Sequence, residues 1–204
     1  MSFADTPRRC FGGWRPATLA HKAQAGLFVE QMVSRGRTDV HASLEDMLRQ
    51  PEDADRPMIA LVISDGRPTA GLMDNFEIIE RFTHDNEGRI SAFCLGGGER
   101  ANRFLLDFLG FKNRGDGIVV RQAQDIPAAL QNLATGISRP VLSNLEFRFS
   151  GVEHANVFPR RPTHLYLDRP MILHGRIPAA SGDAGLQIIG RSGNRRHDIV
   201  LRLD

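Results

Sequence analysis

The sequence predicts an α/β fold with a doubly wound, mostly parallel sheet, followed by a β-rich extension. Three observations support this prediction. Short apolar runs alternate with helical patterns between residues 40 and 135, as expected for strands joined by crossover helices. Several of these runs are apolar on both faces, which is typical of parallel strands covered on both sides. After residue 140 the extended candidates follow one another without a helical pattern between them.

The N-terminal residues predict a short hairpin and two helices. Strand-friendly residues on either side of Asp5-Thr6-Pro7 favour two extended pieces before residue 14. Apolar residues then recur at helical spacing from Leu19, and Gly36 closes this segment, so we expect an amphipathic helix. A second helix is predicted from about Val40 to Gln50, because Pro51 cannot continue it.

Strands and helices are then predicted to alternate. The run Met58–Ile63 is apolar on both faces, which suits an interior parallel strand. The following helix, strand, helix, strand and helix are expected at Asn75–Phe82, Ile90–Leu95, Glu99–Phe111, Ile118–Val120 and Ile126–Thr135. Later extended candidates are Leu142–Phe149, Met171–His174, Leu186–Ile189 and Ile199–Leu203. We therefore expect an α/β domain over residues 1–139 and a β-rich extension over residues 140–204.

Composition and charge limit the classes of protein to consider. With 204 residues, 41% of them hydrophobic and 25% charged, the chain has the composition of a folded domain with its own core. Its 26 basic and 24 acidic residues leave a net charge of +2, which gives no reason to expect a nucleic-acid partner. The apolar runs have the length of strands, so no membrane span is predicted.

Signals for a cellular compartment are weak. The first residues do not form an export signal, which favours the cytoplasm, or the cell surface or periplasm if the chain is part of a longer precursor. The only cysteines, Cys10 and Cys94, are expected to be reduced structural thiols, since a secreted framework normally carries more pairs.

Two polar loops are expected to lie at the same rim of the predicted sheet. Arg35-Gly36-Arg37-Thr38-Asp39 precedes a helix, and Ser64-Asp65-Gly66 follows a buried strand. In open α/β sheets, ligands bind at the carboxyl ends of the strands. Hydroxyl and carboxylate oxygens suit Mg²⁺, so Thr38 and Asp65 are candidate metal ligands. Thr38 could equally cap the following helix, and Asp65 could stabilise the turn at Gly66.

The order of these motifs resembles the second two-thirds of a von Willebrand factor type A domain. The motifs are Gly36-Arg37-Thr38-Asp39, Ile59–Ile63 leading into Ser64-Asp65-Gly66-Arg67-Pro68-Thr69, Ile90–Leu95 leading into Gly96-Gly97-Gly98, and the helix Asn102–Leu109. Other segments are similar to the branch found in inter-alpha-trypsin inhibitor heavy chains and bacterial relatives, which carries a β-rich extension. These segments are Leu109–Gly115, Ile137–Leu142, Val157-Phe158-Pro159, Leu165-Tyr166 and His174-Gly175-Arg176.

The resemblance implies a von Willebrand factor A or Rossmann-like fold and a role in protein–protein recognition, without enzyme activity. A metal-ion-dependent adhesion site in this family uses an Asp-x-Ser-x-Ser loop, a Thr after Gly-Gly, and an Asp before a Gly. The cation completes its coordination with a partner's acidic side chain. By motif Thr38 is the second element and Asp65 the third, with Arg37, Asp39 and Gly97 lining the rim.

The first of these metal-binding elements is absent from the sequence, and Arg37 stands where the family has a glycine. We therefore expect a degenerate or incomplete adhesion site that binds Mg²⁺ or Mn²⁺ weakly at best. A protein partner is still expected, recognised through an acidic side chain.

The resemblance further implies that the family's first strand and helix are missing, since Met1-Ser2-Phe3-Ala4-Asp5 resembles its second strand. That first strand lies in the middle of the family's sheet, so its loss would leave unpaired backbone. Three explanations are open: the chain is a piece of a longer protein, its start is placed too late, or another chain supplies the strand. Self-association through the open sheet is a further expectation.

Other candidate sites have less support. A metal-assisted hydrolase would use Asp65 on the same rim. A separate hydrolytic set would combine Asp65 with His84 and Ser64, but no nucleophile-elbow sequence is present. A metal-independent scaffold would use Arg37 in place of the cation to bind acidic partners. The turn Gly96-Gly97-Gly98-Glu99 could bind phosphate but lacks the spacing of a nucleotide-binding motif, so a packing role is favoured. A basic strip, for which a solvated face is favoured, comprises Arg191, Arg195, Arg196, His197 and Arg202.

Overall fold

The computed structural model describes residues 1–2, 6–33, 36–53, 56–151, 157–176 and 184–203. The α-helices in these ranges are α1 (Leu19–Glu30), α2 (Val40–Leu48), α3 (Asn75–Asn86), α4 (Arg103–Lys112) and α5 (Ile126–Ile137), the last preceded by a 3₁₀ turn at Ala123–Asp125. The strands are β1 (Met58–Ile63), β2 (Ile90–Gly97), β3 (Asp116–Val120), β4 (Pro140–Ser150), β5 (Val157–Phe158), β6 (Leu165–Tyr166), β7 (His174–Gly175), β8 (Ala184–Ser192) and β9 (Arg195–Leu203).

Strands β1, β2 and β3 form a parallel sheet in that order, with helices between them. The predicted alternation of strands and helices is therefore confirmed. The prediction that Met58–Ile63 is an interior strand is wrong, because β1 lies at an edge and no other strand in the described ranges pairs with its outer side. An apolar run indicates that both faces of a strand contact apolar groups. It does not indicate whether the strand has neighbours on both sides within the sheet.

Helices pack on both faces of the sheet, as in a doubly wound fold, although Leu61 and Ile63 of β1 are exposed on one of these faces. On one face, Val62, Ala92 and Cys94 pack with α2, α3 and α4 in a core that includes Leu44, Ile78, Phe82 and Leu105. On the other face, Phe93 and Leu95 pack against Leu133 and Ile137 of α5. Cys94 is free and buried, and burial raises the pKa of its thiol to about 12. Cys10 is also free, and it is only half-buried.

Two buried asparagines connect the C-terminal ends of α3 and α4 to the start of β2. The Asn86 amide donates to the carbonyl of Ile90 (2.8 Å) and accepts from its N–H (2.8 Å), and it also donates to Asn113 Oδ1 (2.9 Å). Asn113 in turn donates to Thr83 Oγ1 (3.0 Å) and to the carbonyl of Leu109 (2.9 Å). Since both amides are almost fully buried, this network satisfies polar groups that would otherwise destabilise the core.

After α5 the chain forms an antiparallel sheet in the order β6-β4-β8-β9, together with the separate pair β5–β7. The predicted β-rich extension is confirmed as antiparallel strands, although of the predicted strand Met171–His174 only His174 is extended. The basic strip lies on the β8–β9 hairpin, where each of its residues is exposed.

His164 lies where this extension meets the first sheet. Its ring is 2% exposed, its Nδ1 accepts from the N–H of Asn144 (3.2 Å), and its centroid lies 6.2 Å from that of Tyr166. Tyr166 belongs to the same core cluster as Phe93 of β2. Burial, followed in importance by the charge of Arg114, lowers the pKa of the His164 imidazole to about 4.

The N-terminal helix is found where it is predicted, but it ends at Glu30 rather than near Gly36. None of its residues is buried, and Leu27 and Val29 are more than half exposed, so the expected apolar face does not join the core. Of the predicted hairpin, the described residues show one pair, in which Ser2 and Arg8 exchange two backbone hydrogen bonds. Residues 3–5 of that prediction lie outside the described residues. None of the described helices is long and apolar enough to cross a bilayer.

Candidate functional site

The rim of the first sheet is formed by the loops that follow β1 and β2 and by the segment before α2. The carbonyl of Asp65 accepts from the N–H of Asn102 (2.7 Å), which joins the loop after β1 to the start of α4. Asn102 caps α4 through its side-chain oxygen and also bonds Asn75 with its amide group (2.9 Å). The sequence predicts the rim from the strand ends, but it does not reveal Asn102 as the residue that connects its loops.

Thr38 lies beside the loop that contains Asp65. Its N–H donates to Thr69 Oγ1 (2.7 Å), and its carbonyl accepts from the N–H of Thr69 (2.9 Å). These bonds dock the segment before α2 on the loop after β1. The structure thus brings the two predicted ligand loops to one place, with Thr38 half-buried and Asp65 exposed. Arg37, next to Thr38, is also exposed at this rim.

The carboxylates of the rim make hydrogen bonds within the fold. Asp39, rather than Thr38, is the N-cap of α2, and its Oδ1 accepts from the N–H of Ala42 (2.9 Å). Its carboxylate packs against Gly71, where a Cβ atom would lie 2.1 Å from Oδ2. Asp65 Oδ1 accepts from the N–H of Arg67 (3.0 Å), which stabilises the turn after β1. Both acids therefore have structural partners.

Close packing at the end of β2 leaves no room for side chains at its two glycines. Gly96 and Gly97 continue the strand beside Val119 and Val120 of β3. A Cβ atom at Gly97 would lie 2.5 Å from the Cδ1 atom of Ile126, and one at Gly96 would meet Leu106. Helix α4 begins only at Arg103, so the glycine run does not lead directly into a helix N-terminus as a phosphate cradle requires.

The resemblance to a von Willebrand factor type A domain implies a divalent cation here, and the donors that the described residues offer do not fit a resident one. Within the described ranges no three His, Cys, Asp or Glu side chains lie close enough together to hold a metal ion. Thr38 would offer one hydroxyl, and Asp65 would offer mainly Oδ2, since its Oδ1 accepts from the N–H of Arg67. Mg²⁺ prefers several oxygen ligands in a regular octahedron, and this rim supplies few of them.

The three residues of the candidate hydrolytic set, Asp65, His84 and Ser64, do not come together. Asp65 follows the carboxyl end of β1, and Ser64 Oγ accepts from the N–H of Gly66 (3.0 Å). His84 lies in the last turn of α3, near Asn86, which bonds Ile90 at the opposite end of the sheet. Because a strand rises about 3.3 Å per residue, the two ends of β2 are about 23 Å apart. This arrangement excludes a Ser64–Asp65–His84 set.

No protein-family model matches the chain. It is similar to inter-alpha-trypsin inhibitor heavy chain H1 of Bos taurus, with 24% identity over 169 residues that cover 79% of this chain and 19% of that protein. It is also similar to heavy chain H6 of Homo sapiens, with 27% identity covering 94% of this chain and 15% of that protein. The chain spans less than a fifth of the length of both of these relatives.

Two solved structures share the fold. A von Willebrand factor type A protein from Catenulispora acidiphila superimposes with a TM-score of 0.74 and 12% identity, over 98% of this chain and 55% of that chain. The ArnB paralog VWA2 from Sulfolobus acidocaldarius gives a TM-score of 0.51 and 20% identity, over 85% and 47% of the two chains. The resemblance predicted from the motifs is confirmed: the chain has the fold of a von Willebrand factor A domain and is similar to inter-alpha-trypsin inhibitor heavy chains.

Proposed function

We propose that this chain is a protein-binding module that recognises an acidic side chain of its partner at the rim, with little contribution from a divalent cation. The similarity to inter-alpha-trypsin inhibitor heavy chains and the von Willebrand factor A fold support a binding role. One observation carries the metal-independent part: the carboxylates of Asp39 and Asp65 hold the helix cap and the turn. Exposed Arg37 then supplies the positive charge at the rim.

Metal titration tests the second half of this proposal. We expect Mg²⁺ or Mn²⁺ to raise Tm by less than about 1 °C, because a weakly held ion adds little to the free energy of unfolding. Calorimetry of the same titration should show no saturable heat. A rise of several degrees that is lost in Asp65→Ala, and kept in the exposed control Asp85→Ala, would contradict metal-independent binding.

Charge reversal tests the binding surface. The immobilised protein would be used to capture partners from an extract of its own source, with bound proteins quantified by mass spectrometry. We expect Arg37→Glu to remove the captured protein and EDTA to leave it bound. Arg148→Glu, an exposed change on β4 away from the rim, is the matched control. Equal capture by Arg37→Glu and Arg148→Glu would show that the rim is not the binding surface.

A further inference from the structure

A buried cluster of polar side chains lies where the antiparallel extension packs against the first sheet. It consists of Thr163, His164 and Tyr166 from the segment that ends in β6, and of Arg114 from the turn between α4 and β3. His164 and Tyr166 are 2% and 3% exposed, and their ring centroids lie 6.2 Å apart. Because these side chains are enclosed, their polar atoms need partners inside the protein.

Three polar atoms of this cluster have no such partner. Thr163 Oγ1, His164 Nε2 and Tyr166 Oη are buried, and none of them makes a hydrogen bond to a described residue. In the rest of the described chain only Ser91 and Asp107 contain a buried side-chain atom in this condition. Since an unpaired buried polar group is destabilising, three of them within four consecutive residues point to a bound group.

The hydrogen bonding of His164 makes its Nε2 a donor. Its Nδ1 accepts from the backbone N–H of Asn144 (3.2 Å), so Nδ1 carries no proton. Burial and, second, the charge of Arg114 lower the pKa of the imidazole to about 4, so the ring is neutral at neutral pH. A neutral ring carries its one proton on the other nitrogen. The unpaired Nε2–H therefore requires an acceptor.

The hydroxyl groups of Tyr166 and Thr163 are also available as donors. Burial raises the pKa of the Tyr166 phenol to about 12, and the Thr163 hydroxyl and the charge of Arg169 oppose this rise. The phenol is therefore protonated at neutral pH. The effect of Thr163 on this pKa indicates that the two hydroxyls are neighbours, although neither has a hydrogen-bond partner of normal geometry in the described chain.

Arg114 adds a positive charge to the cluster. Its Nε donates to the carbonyl of Pro162 and its Nη1 to the carbonyl of Gly88, both at 3.0 Å. The first of these bonds places the guanidinium against the peptide that precedes Thr163. Arg114 is half-buried, and no carboxylate of the described residues forms an ion pair with it. A desolvated cation without a counter-charge is destabilising.

The other charges near the cluster do not neutralise Arg114. Arg169 is paired with Asp116, so that carboxylate is already engaged. Arg161 is also a cation, and its charge joins the larger effect of burial in lowering the pKa of the Arg114 guanidinium. Within the described residues the cluster thus combines donors and positive charge with no anionic acceptor.

We propose that this cluster binds chloride, with His164 Nε2–H, the two hydroxyls and the Arg114 guanidinium as its donors. A water molecule would satisfy the neutral donors, but it would leave the guanidinium without a counter-charge. Because the side chains are enclosed, a monatomic anion suits them better than a phosphate or carboxylate group. The anion joins the turn before β3 to the segment before β6, and it thereby stabilises the packing of the extension on the first sheet.

This inference goes beyond the proposed function, because the cluster and the rim lie at opposite ends of the first sheet. Arg114 precedes β3, and Gly88, whose carbonyl it bonds, precedes β2. The rim is formed by loops that follow β1 and β2. The two sites therefore share no residue, and each can be tested without the other.

Thermal melting at neutral pH, where the His164 imidazole is uncharged, tests for the anion. Sodium chloride is compared with sodium gluconate at the same ionic strength, since gluconate is too large for an enclosed site. In about 0.3 M chloride we expect Tm to be about 3 to 6 °C higher, and the rise to saturate, because the anion binds the folded chain alone. Equal Tm values in the two salts would overturn the proposal and identify water as the occupant.

Two measurements follow the anion itself. Exchange of chloride with a protein site broadens the chloride NMR signal, and added bromide should reverse this broadening by competition. In crystals soaked in bromide, anomalous scattering should show an ion within hydrogen-bond distance of His164 Nε2. Bromide found only at other places on the protein would overturn the assignment to this cluster.

Two variants test the donors. Tyr166→Phe keeps the ring and removes one donor, so the affinity for chloride should fall about tenfold while Tm in gluconate stays nearly unchanged. Arg114→Met removes the counter-charge and should abolish the effect of chloride on Tm. It also loses two bonds to carbonyls, so it should melt earlier in both salts.

Matched controls separate this site from general salt effects and from the rim. Arg148→Met, an exposed change on β4, should keep the full effect of chloride on Tm. Arg37→Glu at the rim should keep it as well, and its loss there would place the anion at the rim and overturn the proposal. If Tyr166→Phe and Arg114→Met both responded to chloride like the unaltered chain, the buried cluster would not be the site.

Discussion

Acidification tests the packing of His164 between the extension and the first sheet. This imidazole is 2% exposed, and its pKa is lowered from 6.5 to about 4, first by burial and second by the charge of Arg114. Between those two values the unfolded chain binds a proton that the folded chain does not. The stability that the neutral His164 imidazole contributes is therefore fully present above pH 6.5 and is lost as the pH falls toward 4.

The size of the loss follows from the two pKa values. One pKa unit corresponds to about 1.4 kcal/mol, so lowering the pH from about 7.5 to about 4.5 removes about 2.5 kcal/mol from the free energy of unfolding. For a chain of this length that corresponds to a fall in Tm of about 5 to 10 °C. Urea unfolding followed by circular dichroism at several pH values measures the loss directly.

A substitution separates His164 from the other titrating groups. His164→Asn keeps an oxygen acceptor for the N–H of Asn144 but cannot bind the proton. The free energy of unfolding of this variant should therefore fall by less than about 1 kcal/mol over the same pH range. His174→Asn, an exposed change in β7, should keep the full loss. If His164→Asn retained the pH dependence of the unaltered chain, the buried imidazole would not be its source.

Two further predictions concern the core of the first sheet. A Cβ atom at Gly115 would lie 1.8 Å from the backbone oxygen of Ala92, so Gly115→Ala should cost more than about 3 kcal/mol or prevent folding. Gly136→Ala, with nothing within 4 Å of its Cβ position in α5, should instead raise stability by about 0.5 to 1 kcal/mol in the same thermal melts. Asn86→Ala leaves both backbone groups of Ile90 without their side-chain partner and should cost about 2 to 4 kcal/mol in urea unfolding. The exposed change Asn132→Ala in α5 should stay within about 0.5 kcal/mol, and equal effects of the two asparagine changes would contradict a structural role of the buried amide.

The alternation of helices and strands could be predicted because the local spacing of apolar residues indicates the type of each element. The helix predicted at Glu99–Phe111 is α4, shortened to Arg103–Lys112 because Asn102 supplies its cap. The strand predicted at Ile90–Leu95 extends to Gly97, because two glycines without side chains still fit the ladder with β3. Both differences arise at the ends of elements, because side-chain caps and neighbouring strands determine where a helix or strand begins and ends.

Features that depend on distant residues could not be predicted. Whether β1 is an edge strand depends on what lies beside it, and the apolar run is the same in either case. The contact of Asn86 with Asn113 joins residues 27 positions apart. At the rim, the sequence predicts the loops of Thr38 and Asp65, whereas the hydrogen bond that docks these loops together joins Thr38 to Thr69, 31 positions away. The domain boundary at residue 140 and the role of Thr38 and Asp65 as metal ligands stay predictions.

The amide pair at the bottom of the sheet also governs the shape of the rim. Asn86 fixes both backbone groups of Ile90, the first residue of β2. A slip of the strand by one residue would turn every side chain to the opposite face, and it would carry Leu95 toward the position of Gly96, where Leu106 leaves no room even for a methyl group. The rim is thus aligned from about 23 Å away, and selection acting on the rim would also constrain two asparagines that are buried at the other end of the sheet.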